Sequence, residues 1–178
     1  MTPDRIVLIG FMGSGKTTVG GILAERLDYQ LADTDALIQE RAGAPIARIF
    51  AERGEQAFRD IEAEVLGELA RMSRVVVATG GGAPAQPRNR SFFTRGAATF
   101  HLRVSLATAR ERAGGDLNRP LMAQGDDALG VLYERRTPVY EQLGTGVETE
   151  GRTPAAVAEE IIRWLRSPRT DPRPAGTA

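Results

Sequence analysis

An apolar run, a glycine-rich loop and a helical segment follow one another near the start of this chain, and they restrict its fold more than any other feature. Residues 5–10 read RIVLIG, residues 10–17 read GFMGSGKT and residues 17–27 read TTVGGILAERL. The loop matches the pattern G-x-x-x-x-G-K-[ST], in which glycines let backbone N–H groups converge on phosphate oxygens. A strand that leads through such a loop into a helix predicts a nucleoside triphosphate site in an α/β protein.

The loop supplies the side chains that a nucleoside triphosphate and its metal ion need. We expect Lys16 to reach the β- and γ-phosphates and to act in catalysis, and the Thr17 hydroxyl to ligate Mg²⁺. Lys16 is the only lysine among 23 basic residues, and its compact ammonium fits between two phosphates where a planar guanidinium would displace them. The predicted ATP-binding residues of this segment are Gly13, Ser14, Gly15, Lys16, Thr17 and Thr18.

The expected nucleotide is ATP. Guanine selection by switch proteins with this loop normally uses N-K-x-D, which cannot occur here because the single lysine already follows Gly15. A motor or large assembly ATPase would need a longer chain, so 178 residues favour a small phosphotransferase. A regulator that binds ATP only as a conformational signal is a rival from another class. Asp35 argues against that rival, because a binding module needs no carboxylate on the acceptor side.

Short apolar runs alternate with helical segments along the rest of the chain. The runs cover residues 5–10, 29–33, 74–79, 97–103 and 145–149. Strands separated by helices indicate βαβ units, which form a parallel sheet covered on both faces. Thr153 and Pro154 predict the start of a last helix. An apolar stripe at spacings of three or four predicts another helix, and its members are Phe58, Ile61, Val65, Leu69 and Met72.

Composition places the chain among single-domain globular proteins. No cysteine and a formal net charge of zero argue against a disulfide framework, a thiolate metal site and a nucleic-acid or polybasic membrane surface. No apolar run reaches the roughly 20 residues of a membrane span, and the N-terminus lacks the layout of a secretion signal. We therefore expect a cytoplasmic protein with one domain over residues 1–166 and a disordered, proline-rich tail over residues 167–178.

Two acidic residues follow the second predicted strand, beside the phosphate loop. On an extended segment the side chains of Asp33 and Asp35 would point the same way, because they are two residues apart. One carboxylate could then hold the water shell of Mg²⁺ while the other accepts the proton of an attacking hydroxyl. The alternative interpretation is a helix N-cap with a solvated turn.

Arg59 and Glu62 lie one helical turn apart, and alone this spacing is more typical of a surface ion pair. The interpretation changes when a triple glycine at 80–82 and Arg136 in the segment RRTPVY are considered with them. The guanidinium group of arginine binds a carboxylate through two parallel hydrogen bonds, and a glycine backbone without side chains lets a small substrate approach closely. The set therefore predicts a site for a small carboxylated substrate.

The chain resembles the shikimate kinase family in the order and spacing of six motifs, from about residue 5 to residue 165. The motifs are GFMGSGKTTVG, DTD, IFAERGEQAFRDIE, TGGG, NRPL and RRTPVY. The resemblance implies an α/β, three-layer P-loop kinase fold, with a five-stranded parallel sheet, helices on both faces and a mobile lid at about residues 113–127. It also implies ATP- and Mg²⁺-dependent phosphorylation of the 3-hydroxyl of shikimate, which gives shikimate 3-phosphate and ADP on the route to the aromatic amino acids.

The resemblance also assigns roles to residues. Asp35 would orient the accepting hydroxyl and is a candidate general base, while Asp33 would contact Mg²⁺ through water. Arg119 would cover the transferring phosphates from the lid as a catalytic residue, and Arg112 and Arg152 would flank the adenine. Arg59 and Arg136 would bind the carboxylate of the substrate, and Glu62 would hold Arg59 in place. The substrate ring would lie against Gly80, Gly81 and Gly82.

Other small kinases with the same loop are the nearest alternatives, in particular those that act on gluconate or on a nucleoside monophosphate. The triple glycine together with Arg59 and Arg136 favours a compact carboxylated ring instead. His101, the only histidine, lies in a predicted strand away from every motif, and we expect it to serve packing. Because the chain shows no additional apolar stripe, we expect a monomer.

Overall fold

The computed structural model describes residues 3–113 and 126–167. Its centre is a five-stranded sheet in the order β2-β3-β1-β4-β5, and every pair of neighbouring strands is parallel. The strands are β1 (Arg5–Ile9), β2 (Gln30–Asp33), β3 (Val75–Ala78), β4 (Ala97–Arg103) and β5 (Thr145–Glu148). Each expected strand is therefore present, and the predicted five-stranded parallel sheet is confirmed.

Helices cover both faces of this sheet. They are α1 (Lys16–Leu27), α2 (Thr34–Ala42), α3 (Ile46–Leu69), α4 (Arg90–Thr94), α5 (Leu106–Ala113), α6 (Asp126–Leu143) and α7 (Pro154–Arg166), with short 3₁₀ turns at Ala83–Ala85 and Pro87–Asn89. As predicted, α7 begins after Thr153, whose hydroxyl accepts a hydrogen bond from the backbone N–H of Ala156 at 3.2 Å. The three-layer arrangement is confirmed.

The central strand β1 shows why two helical layers form. All five of its residues are buried, and successive side chains point to opposite faces of the sheet. Ile6 and Leu8 pack with α1 and α7, whereas Val7 and Ile9 pack with α2, α3 and α6. A strand with apolar side chains on both faces is stable only when both faces are covered.

Helix α3 differs from its expected form at both ends. It begins at Ile46, and it is kinked at Gly54, whose backbone is not helical (φ 78°, ψ 172°). Phe58, Val65 and Leu69 of the predicted stripe are buried, but the stripe does not extend to Met72, whose exposed fraction is 36%. The helix ends at Leu69, so residues beyond it no longer follow the helical period.

The topology brings the carboxyl ends of β1, β2 and β3 to one edge of the sheet, because parallel neighbouring strands end on the same side. The phosphate loop follows β1, Asp33 is the last residue of β2 with Asp35 two residues beyond it, and the triple glycine follows β3. Across the two described ranges, no helix has both the length and the apolar character needed to cross a membrane. Residues 114–125 of the predicted lid, including Arg119, and residues 168–178 of the predicted tail lie outside the described residues.

Candidate active site

The phosphate loop joins β1 to α1 through glycines in left-handed backbone conformations. Gly13 has φ 74°, and Gly15, which precedes the first residue of α1, has φ 86°. Both angles are unfavourable for residues with a side chain, so the pattern of glycines follows from the backbone path. The loop leads directly into the N-terminus of α1, where helical N–H groups without partners in the helix and the helix dipole favour an anion.

The side chain of Lys16 lies back across the loop. Its Nζ donates hydrogen bonds to the carbonyl oxygens of Gly10 at 2.9 Å and Phe11 at 3.0 Å, and to Ser14 Oγ at 3.3 Å. The ammonium of the only lysine in the sequence therefore lies inside the loop that would hold the phosphates. Ser14 is buried, with an exposed fraction of 1%.

A cavity of about 330 Å³ lies beside the loop. Its wall includes Gly13, Ser14, Gly15 and Thr18, together with Arg112 and Arg152. The Arg112 guanidinium also donates a hydrogen bond to the carbonyl of Gly13 at 3.2 Å. The structure thus brings four of the six predicted ATP-binding residues of the loop and both predicted adenine-flanking arginines to one pocket, whereas Lys16 and Thr17 are not among its lining residues.

Asp33 links the phosphate loop to α2. Its Oδ2 accepts a hydrogen bond from the Thr17 hydroxyl at 2.7 Å, and its Oδ1 accepts from the backbone N–H groups of Asp35 and Ala36 at 3.0 and 3.3 Å. Asp33 is therefore the N-cap of α2, as the alternative interpretation predicted, and it also bonds to the phosphate-loop segment through Thr17. The expectation that Asp33 and Asp35 share one extended segment is wrong, because Asp35 lies in the first turn of α2.

The triple glycine passes directly beneath three charged side chains. A Cβ atom at Gly80 would lie 2.5 Å from Asp35 Oδ1, and one at Gly82 would lie 2.8 Å from Arg59 Nη1 and 3.2 Å from Arg136 Nη2. These contacts leave no room for a side chain. The structure therefore joins one carboxylate and two guanidinium groups around bare backbone, although they come from α2, α3 and α6.

Arg59 is held by two carboxylates. Its Nη1 donates to Oε1 and Oε2 of Glu62 at 3.1 and 3.0 Å, while its Nε and Nη2 donate to Oε1 of Glu55 at 3.3 and 3.2 Å. The surface-pair interpretation is wrong, since the Glu62 side chain is only 1% exposed and that of Arg59 is 12% exposed. Burial raises the pKa of Glu62, and the neighbouring positive charge of Arg59 opposes that shift.

Two further residues of the site escaped sequence analysis. The buried Thr34 hydroxyl accepts a hydrogen bond from the backbone N–H of Gly80 at 2.8 Å, and the buried Tyr140 hydroxyl donates to the carbonyl of Gly81 at 2.6 Å. Thr34 is the middle residue of the DTD motif, and Tyr140 ends RRTPVY, four residues after Arg136. That helical spacing was the available signal for Tyr140.

His101 is not remote from the motifs. Its ring lies 5.2 Å from that of Tyr140, centroid to centroid, and its exposed fraction is 4%. Burial, with the positive charges of Arg103 and Lys16, lowers the pKa of His101 to about 4. The expected packing role agrees with this burial, whereas the expectation of distance from every motif is wrong.

Comparisons with known proteins agree with this geometry. Residues 12–166 match the family model described as "Shikimate kinase". A shikimate kinase of Moorella thermoacetica is 43% identical over 167 residues, which cover 93% of this chain and 96% of that protein. The solved structure of a shikimate kinase from Acinetobacter baumannii in complex with shikimate has a TM-score of 0.86 at 36% identity and covers 93% of each chain.

A gluconokinase structure from Sinorhizobium meliloti is also similar, with a TM-score of 0.62 and 21% identity over 92% of each chain. At that identity the likeness shows a shared fold alone. The family match and the relatives at about 40% identity separate this chain from that alternative and confirm the expected family and the expected class of enzyme, a kinase. The chain belongs to the shikimate kinase family.

Proposed function

We propose that this chain transfers the γ-phosphate of ATP to the 3-hydroxyl of shikimate. The observation that carries the proposal is the meeting of Asp35, Arg59 and Arg136 over the triple-glycine turn, beside the phosphate loop. Two guanidinium groups can bind a carboxylate, and a nearby carboxylate can accept a hydroxyl hydrogen bond. A small ring that carries both a carboxylate and hydroxyl groups has this chemistry.

Positioning and charge neutralisation supply most of the catalysis in this proposal. Arg59 and Arg136 fix the substrate carboxylate, and Glu62 keeps Arg59 in place through the bonds to Nη1. Asp35 orients the accepting hydroxyl and takes its proton as phosphoryl transfer proceeds. Lys16 exchanges its bonds to the loop carbonyls for phosphate oxygens and stabilises the negative charge of the transferring group.

Thr17, in the first turn of α1, and Asp33, the last residue of β2, fit a Mg²⁺ ion. The Thr17 hydroxyl and the Asp33 carboxylate lie 2.7 Å apart, and such oxygen donors suit Mg²⁺, which keeps several water ligands and the phosphates of its nucleotide. When bound, the ion would neutralise charge on the β- and γ-phosphates. Thr17 would contact it directly, and Asp33 would act through a water molecule.

The remaining assignments are supported by position or by family resemblance. Arg112 and Arg152 line the nucleotide cavity and would flank the adenine. Arg119 and the lid at about residues 113–127 rest on the resemblance, since residues 114–125 are not described. The monomeric state and the cytoplasmic location stay predictions from the sequence.

Release of ADP with three acceptors tests the proposal. We expect turnover with shikimate and none above background with gluconate or AMP. Turnover with gluconate or AMP and none with shikimate would refute shikimate as the substrate. ATP binding without turnover on any acceptor would favour a regulator that uses ATP only as a conformational signal.

A variant of Asp35 tests the acceptor site itself. Asp35→Asn should reduce turnover at least about a hundredfold, the scale of a lost general base, while ATP binding measured by calorimetry is retained. Asp28→Asn is the matched control, because the Asp28 side chain is 96% exposed at the C-terminal end of α1, where it forms an ion pair with Arg74. Near-normal turnover of Asp35→Asn would contradict its assigned role.

A further inference from the structure

Tyr140 connects two parts of the acceptor site that lie far apart in the sequence. It lies on α6, four residues after Arg136, and its side chain is completely buried. We infer that Tyr140 is a positioning residue that holds the triple-glycine turn and the Arg136 guanidinium in the geometry needed for shikimate. This inference rests on the proposed function and adds a residue to it.

The phenol hydroxyl has one proton to donate and lone pairs to accept with. The proton goes to the carbonyl of Gly81 at 2.6 Å, and the Arg136 guanidinium lies close enough for its positive charge to lower the pKa of the same hydroxyl. The two groups also converge in space, because a Cβ atom at Gly81 would lie 3.3 Å from both the Tyr140 hydroxyl and Arg136 Nη1. The phenol hydroxyl and the guanidinium therefore meet at the same residue of the turn.

The turn is held from two sides. Thr34 accepts the N–H of Gly80, and Tyr140 donates to the carbonyl of Gly81, which is the next residue. Between them these bonds fix the path of backbone that lies against Asp35 and Arg59. Without the Tyr140 bond, the carbonyl of Gly81 would lose its buried partner, and the turn would keep only the Thr34 bond and the local backbone bonds from Ala83 and Ala85 among the bonds described.

The surroundings keep the phenol in one state and one place. Burial raises the pKa of Tyr140 to about 12, against an opposing effect of Arg136, so the hydroxyl keeps its proton at neutral pH. The ring packs against that of His101 on β4, with an angle of 51° between the ring planes. A fixed ring with a permanent donor is suited to holding a carbonyl and a guanidinium at a constant separation.

Tyr140→Phe removes the hydroxyl and leaves the ring in place. We expect KM for shikimate to rise about tenfold or more, the scale of leaving a buried carbonyl without its hydrogen-bond partner. KM for ATP should stay within about twofold, because the Tyr140 hydroxyl bonds to the triple-glycine turn and Tyr140 is not among the residues that line the cavity beside the phosphate loop. The melting temperature, with and without shikimate, is measured on the same samples to establish that the variant is folded.

Tyr133→Phe is the matched control. Tyr133 lies on the same helix, and its hydroxyl likewise donates to a backbone carbonyl, that of Val104 at 2.8 Å. Its loss should leave KM for shikimate within about twofold. An equal effect of the two substitutions, or an equal rise of KM for both substrates in Tyr140→Phe, would show a general structural role and overturn the inference.

A double-mutant cycle tests whether Tyr140 acts through Arg136. If it does, Tyr140→Phe should have a smaller effect on KM for shikimate in an Arg136→Lys background than in the wild type, whereas independent residues give additive effects. Additive effects would overturn the inference. Failure of the proposed function is distinguishable, because it would appear as no shikimate turnover by the wild type itself.

Discussion

Acid should destabilise the protein through His101, and the size of the effect follows from its burial. The pKa of His101 falls from its ordinary 6.5 to about 4 in the folded state because burial, followed by the charges of Arg103 and Lys16, disfavours the imidazolium. Between these two values the unfolded chain binds a proton that the folded chain does not. Stability is therefore unaffected by His101 above pH 6.5 and is lost as the pH falls toward 4.

The loss can be calculated from the two pKa values. Lowering the pH from 7.5 to 5 should reduce the free energy of unfolding by about 2 kcal/mol through His101 alone. In a chain of this length that corresponds to a fall in melting temperature of roughly 4–8 °C. Carboxylates with lowered pKa values, such as that of Asp60, add to the acid sensitivity of the whole protein.

His101→Leu isolates the contribution of the histidine. Leucine is of similar volume and does not titrate, and His101 Nδ1 has no hydrogen-bond partner among the described residues that the substitution would remove. Urea unfolding of both proteins at pH 7.5 and pH 5 gives the four free energies needed. We expect the variant to lose about 2 kcal/mol less than the wild type on acidification. Equal losses in the two proteins would refute the reasoning.

Three further substitutions test the site by steady-state kinetics. Lys16→Arg keeps the charge but should reduce turnover at least about a hundredfold, because a planar guanidinium does not fit the loop; an active variant would contradict this. Gly82→Ala should raise KM for shikimate, since its Cβ would lie 2.8 Å from Arg59 Nη1, whereas Gly67→Ala, with open space around it, should not. Glu62→Gln should raise KM for shikimate about tenfold, because Arg59 loses a buried counter-charge, and an unchanged KM would argue against support by Glu62.

The sequence by itself determined the sheet and the phosphate loop. Both depend on local requirements: β1 needs a continuous apolar run to be buried on two faces, and the loop needs glycine where φ is positive, as at Gly13 and Gly15. The candidate residues of the acceptor site were also found from the sequence, because the family motifs contain them. Their grouping around the triple glycine agrees with that prediction.

Only the tertiary structure decided how these residues are held. From helical spacing alone, Arg59 and Glu62 are predicted to form an ion pair on the surface. In the structure the surrounding elements bury this pair. The bond between Tyr140 and Gly81 joins residues 59 positions apart, and no local pattern encodes such a contact. A phosphate loop is one continuous segment, whereas the acceptor site is assembled from separate helices and a turn, so its supporting bonds depend on how those elements pack.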